Sequence, residues 1–285
     1  MADEKGVSEF EAAFLRGREA GVQIDHSRLD AGGTPYLVLP EGFEVKSLEW
    51  LLDRPLQRKA QAAFSEQDSF IGYVRQFAGS ETQLCADVRQ GVVIAILDYH
   101  EGGKDGRAGH GKHVAKFLPL LSEEWLAWTG KDGKALSQLQ FAEFIEERLR
   151  DIREPDGAAL LEMAQNFSAS RSAKVESSKR LSDGRVQFVY VEELAGGKKG
   201  AAGLVTVLER LRIGLYAYEG DSDNDDAPVI DLEAWLRWRL KDGDVSFTVK
   251  LDKPGEALRH TFRARAEEIG AELARPVLYG SLAVG

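Results

Sequence analysis

Between Leu232 and Leu251 the chain alternates in two answering runs. Leu232, Ala234, Leu236, Trp238 and Leu240 take every second place, with Glu233, Trp235, Arg237 and Arg239 between them. After Lys241-Asp242-Gly243, the residues Val245, Phe247, Val249 and Leu251 alternate again. A period of two smears apolar side chains around a helix, whereas in a strand it gathers them on one face. Two such strands joined through Asp-Gly predict an antiparallel hairpin. An isolated hairpin is marginal in water, so its apolar face requires a covering layer. Trp235 stands apart, an aromatic ring on the polar face.

The rest of the second half follows the same pattern. Ala173–Leu181 and Arg185–Glu193 flank Ser182-Asp183-Gly184, a second hairpin signal. A Gly/Lys/Ala loop over 195–203 leads to strands at 204–207 and 212–218, and an acidic loop covers 219–226. A helix over 255–273 and a short strand at 276–279 end the chain.

The first half is richer in helices. Phe70, Tyr73, Val74 and Phe77 make the inner face of a helix starting at Asp68 and stopping at Gly79. Ser122-Glu123-Glu124 opens a helix bearing Trp125 and Trp128, and Ser137 caps another carrying Leu139, Phe141, Ala142, Phe144, Ile145 and Leu149. Pro155 starts its partner, which runs to Phe167. Residues 83–88 and 91–99 read as a hairpin, 115–120 as a strand, and 101–111 as a Gly-rich loop. Nearer the N-terminus lie a helix over 8–18 and short strands at 34–40 and 43–45.

The predicted class is therefore α+β, with helices mainly in the first 170 residues and antiparallel hairpins mainly after them. The expected division is a polar arm over 1–30, a mixed region with a helix pair over 31–168, and a β-rich region with a late helix over 169–285. The alternative is one interlocked domain over 31–285.

Charge and cysteine content narrow the function classes. The formal net charge of −10 opposes binding to nucleic acid or an anionic membrane surface. The longest apolar run, Val92–Leu97, is far short of the roughly 20 residues that cross a bilayer. The N-terminus carries no apolar signal core. Cys85 is the single cysteine, which fits a reducing cytoplasm, and its setting is that of a small buried hydrophobe.

Four sets of residues carry possible chemistry. Asp98, His100, His110 and His113 are ligand types for a divalent metal, with Asp98 and His100 on one side of a strand end. Their spacing matches no established metal signature. Asp221, Asp223 and Asp225 imitate the start of a calcium loop, but Asp226 and Leu232 stand where it needs Gly and Glu. Gly196-Gly197-Lys198-Lys199-Gly200 lacks the Gly-Lys-Ser/Thr ending of a phosphate loop. Trp235, Arg237 and Arg239 suit either base stacking or a subunit interface, and the negative charge favours the interface. Trp125 and Trp128 are further interface candidates. No nucleophile elbow, kinase set or dinucleotide fingerprint is present.

Several stretches together resemble one family: Ser69–Val74, Ala95–His100, Glu124–Trp128, Gln138–Glu146, Asp151-Ile152 and Pro155–Ala158. They are similar to the YfdQ-like family of uncharacterised proteins found in tailed phages and prophages. The likeness covers residues 40–280 and is most specific over 69–162. It implies a phage or prophage product in the cytoplasm of a bacterial host, and it carries no established activity over to these residues. The leading expectation is a non-enzymatic accessory protein, without a cofactor, that forms a homo-oligomer and binds a phage or host protein. The alternatives are a metal-dependent hydrolase at Asp98, His100, His110 and His113, and a single-strand nucleic-acid helper of phage recombination.

Overall fold

The computed structural model describes residues 53–54, 57–102, 106–166, 173–180, 185–194, 198–225, 227–241 and 244–282. For 173–208 and residue 240 it describes the backbone alone. The helix expected over 8–18, the strands at 34–45 and the 1–30 arm lie outside the described residues. Residues 59–285 form one unit by their internal contacts. The class is α+β.

Thirteen strands fall into three sheets among the described residues. The first sheet runs β1 (Ala60–Phe64), β4 (His113–Phe117), β3 (Val92–Ile96), β2 (Gln83–Asp87), β13 (Val277–Tyr279). The predicted hairpin of β2 and β3 is there and antiparallel. The edges depart from the all-antiparallel expectation, because β1 runs parallel to β4 and β13 parallel to β2.

One face of this sheet carries Leu84, Ala95 and Ala115 in register, and beside them Ala86, Val93, Phe117 and Phe64. The small side chains in the first row leave room for a helix to lie close. Helix α1 (Gln67–Phe77) fills that room with Phe70, Ile71 and Val74, all buried, and Phe70 lies 5.9 Å from Phe117.

The second sheet is antiparallel throughout: β5 (Ala135–Ser137), β12 (Asp244–Leu251), β11 (Ile230–Lys241), β10 (Arg210–Leu215), β6 (Ile152–Glu154). The opening hairpin of the sequence thus forms its centre. Helices α2 (Glu123–Lys131), α3 (Gln138–Glu147) and α4 (Gly157–Asn166) belong to this half. Ser122 caps α2 by accepting from the Trp125 amide. Ser137 and Gln140 cap α3 reciprocally, satisfying two backbone donors that a helix start leaves open. Phe141 of α3 stacks on Phe247 of β12 at 4.7 Å, and Trp128 of α2 meets Phe144 of α3 at 4.8 Å.

Helix α4 begins at Gly157, two residues later than Pro155 suggested. Asp156 explains the shift: its carboxylate accepts from the Ala158 amide, so it serves as the cap and Pro155 stays outside. Strands β7 (Ala173–Arg180), β8 (Arg185–Leu194) and β9 (Lys198–Leu208) make the third sheet. Here too the sequence reading needs correction. Lys198–Gly203 is strand rather than loop, because its backbone pairs with β8 through Leu194, Glu193, Val191 and Tyr190.

Helix α5 (Pro254–Glu272) contacts β2 and β13 of the first sheet and β11 of the second. It inserts Phe262, Ala266 and Ile269, and buried residues from both sheets make one contiguous cluster. The turn after α5 returns so closely that a Cβ on Gly270 would meet Val277 Cγ2 at 2.6 Å. Arg275 secures it by donating to the Gly79 and Thr82 carbonyls.

Phe247→Ala removes the ring between β12 and α3, and about 3–5 kcal/mol of stability is expected to go with it. Gly270→Ala, by forcing the turn open, is expected to lower the urea midpoint in the same direction. Equilibrium unfolding followed by tryptophan fluorescence measures both.

Candidate functional site

Strand β11 sets the geometry of the outer face of the second sheet. Leu232, Ala234 and Leu236 are buried, while Asp231, Glu233, Arg237 and Arg239 are exposed and Trp235 is half-buried between them. Trp235, Arg237 and Arg239 therefore line up on one solvent face, as the alternation required.

The neighbouring strands complete it. Trp235 pairs with Arg210 of β10 on one side and Lys250 of β12 on the other. Arg237 stands opposite Thr248, and Arg239 opposite Ser246. Arg212 lies across from Glu233 and forms an ion pair with Glu154 at 2.7 Å. Lys250 reaches Asp132 at 2.8 Å. Both pairs are exposed enough to contribute little stability.

Sequence reasoning passed over Lys250 and Arg210. The first was readable, since the turn at 242–243 puts residues 235 and 250 opposite each other. The second depends on the long-range pairing of β10 with β11, for which no local signal exists.

Trp125 and Trp128 are elsewhere. They are 2 % and 1 % exposed, so both are core residues of this chain rather than surface contacts. Two rings three places apart on one helix face make a buried stripe. The Trp128 indole donates to Asp151 Oδ2 at 2.8 Å, which satisfies its N–H inside. Burial raises the Asp151 carboxyl above its usual range, against the lowering effect of that hydrogen bond.

The Asp98 and His residues have separate tasks. Asp98 accepts from the Lys112 and His113 amides at 3.1 and 2.9 Å, closing the loop between β3 and β4. His100 Nδ1 accepts from the Gly109 amide at 3.1 Å. His110 is exposed. His113 is buried on the α1 face of β4, 2.9 Å from the Tyr73 hydroxyl and between the Tyr73 and Phe77 rings. Among the described residues, no group of three or more His, Cys, Asp or Glu is placed to hold a metal ion. Cys85 is buried and donates to the Gly280 carbonyl, and burial pushes its thiol up.

The acidic loop lines a cleft of about 330 Å³ with Glu66, Asp68, Glu219 and Glu268. Among its described residues the one buried carboxylate, Asp221, is already committed. It pairs with Arg265 at 2.5 Å and accepts from the Tyr218 amide at 3.2 Å. Asp223 and Asp225 are exposed, and Asp226 lies outside the described residues. The Arg265 guanidinium also lies 4.8 Å from the Tyr218 ring centroid. What the loop builds is a buried ion pair under an aromatic ring.

A family model described as an uncharacterized conserved protein, DUF2303, matches residues 19–282. The chain belongs to this family. No curated protein and no solved structure matches it. For this DUF2303 member, no described helix is long and apolar enough to cross a membrane.

Burial raises the Tyr218 hydroxyl to about 12. Because the folded value lies above the usual 10, the unfolded chain ionises first. The stability this group contributes is therefore complete below pH 10 and declines as the pH climbs to about 12. Absorbance of tyrosinate during alkaline titration is expected to show a phenol that ionises at about 12, and Tyr218→Phe is expected to remove it.

Proposed function

We propose that the protein is a non-enzymatic accessory protein of phage or prophage origin that self-associates and works by binding in the bacterial cytoplasm. One observation carries the binding reading: the outer face of the second sheet holds Trp235 among Arg210, Arg237, Arg239 and Lys250. Trp and Arg are the side chains that dominate binding energy at protein interfaces. A half-buried indole framed by guanidinium groups offers an apolar contact with a polar rim. The origin and compartment rest on the sequence resemblance over residues 69–162. The charge of −10 sets the whole molecule against a polyanionic partner, which leaves a protein as the favoured one.

Light scattering across micromolar concentrations tests this. An assembly larger than one chain is expected, and Trp235→Ala is expected to weaken it by about tenfold or more, the loss typical of a binding hot spot. A monomer at every concentration overturns the reading.

A further inference from the structure

The outer row of β11 has an order as well as a composition. It reads Asp231, Glu233, Trp235, Arg237, Arg239 and, at its end, Lys241: two acids, an indole, three bases. The charges invert about Trp235. A residue two or four places before the Trp is negative, and its counterpart two or four places after it is positive.

We propose that this row is the contact of a two-fold symmetric dimer, in which a second copy of the chain lies face to face with β11 antiparallel and Trp235 next to the axis. This deepens the self-association reading and rests on it. In a two-fold contact, if residue i meets residue j then j meets i. Antiparallel placement about Trp235 brings Arg237 against Glu233 of the second copy and Arg239 against Asp231, and each pairing recurs by symmetry. A parallel placement instead sets like charges on each other. The order thus selects one orientation, which is the part that interface charges play best. The two Trp235 rings meet at the centre, where an aromatic pair is worth more than its buried area alone.

The same order argues against other occupants. A nucleic-acid strand or an acidic peptide lying along β11 meets attraction at Arg237 and Arg239, then repulsion at Glu233 and Asp231. A basic peptide meets the reverse. A second copy satisfies both ends of the row. Flanking charges on the neighbouring strands are partly used within the chain, Arg212 by Glu154 and Lys250 by Asp132. Arg210 and Lys250, which flank Trp235 on either side, are the charged groups that approach their own copies in this arrangement, and Asp132 already pairs with Lys250.

Sedimentation of the full chain, with single and paired charge reversals, tests the geometry. The wild type is expected to dimerise. Glu233→Arg alone and Arg237→Glu alone are each expected to weaken the dimer by roughly tenfold or more, since each sets like charges together. The double variant is expected to recover to within about threefold, because its pairs are restored with sign reversed. Arg210→Ala is expected to leave the dimer unchanged or tighter. Both reversed side chains are exposed, and unchanged thermal melts confirm that the variants fold. A wild-type dimer indifferent to both single reversals overturns this geometry and leaves self-association standing. A wild-type monomer at every concentration overturns both. Binding of a poly-dT oligonucleotide at low salt that Arg237→Glu abolishes and Glu233→Arg strengthens overturns the proposal in favour of a polyanion.

Discussion

Burial of alternate side chains along β11 is the constraint on which the second half of the molecule depends. Leu232, Ala234 and Leu236 are 4 %, 1 % and 2 % exposed, and their partners Val249 and Leu251 on β12 and Leu211 and Ile213 on β10 are equally covered. A slip of one residue in pairing would turn this apolar row to water and bring Glu233, Arg237 and Arg239 inside. Register is therefore fixed by the core, and the outer face inherits its order from the inner one. The three-residue strands β5 and β6 end the sheet on either side, so little backbone is left open for unwanted pairing. Helix α5 extends the same core into the first sheet, where Ala95 and Ala115 lie beneath neighbouring helices without exposed surface.

Acidic side chains do much of the fastening around that core, which bears on how an excess of carboxylates should be read. Asp98 closes the loop before β4, Asp132 ties the end of α2 to the Leu251 amide, and Asp151 receives the Trp128 indole. Asp221 holds Tyr218 and Arg265 together. Each carboxylate accepts from backbone or ring donors that burial would otherwise leave without a partner, a loss of about 1–3 kcal/mol apiece. A cluster of Asp and His in the sequence looks like a ligand set for the same reason that it makes good loop closures, since both tasks need acceptors at chain turns.

The legible parts of the fold were those whose signals are local. The β11–β12 hairpin, the Ser137 cap and the α1 face follow from periodicities within about a dozen residues. Strand β13 answers the short strand expected at 276–279, but its parallel pairing, like the whole of β1, followed from nothing local, because it joins Val277 to Leu84 and Ala60 to His113. Lys198–Gly203 misled through composition: Gly, Ala and Lys are poor strand formers, yet pairing with β8 overrides propensity. Of the residues expected at an interface, Trp235, Arg237 and Arg239 stand on the outward face of β11, because alternation fixes which side they face. Trp125 and Trp128 are buried instead, and a large aromatic ring signals burial as readily as contact until the helix face is known.

The outer face of β11 also shows how an acidic chain can carry a self-complementary surface. At physiological ionic strength charges are screened beyond about 8 Å, so a net charge of −10 acts mainly on approach and little at contact. At contact, what counts is which charge stands beside which. Exposed ion pairs contribute about 0–1 kcal/mol each, too little to hold two chains against the entropy lost on association. Burial of an aromatic side chain supplies several times that, but the hydrophobic effect has no direction and would accept either orientation. In the proposed dimer, Trp235 and the charges around it thus divide the work. The indole can provide attraction, and the inverted order of Asp231, Glu233, Arg237 and Arg239 can convert that attraction into one relative orientation.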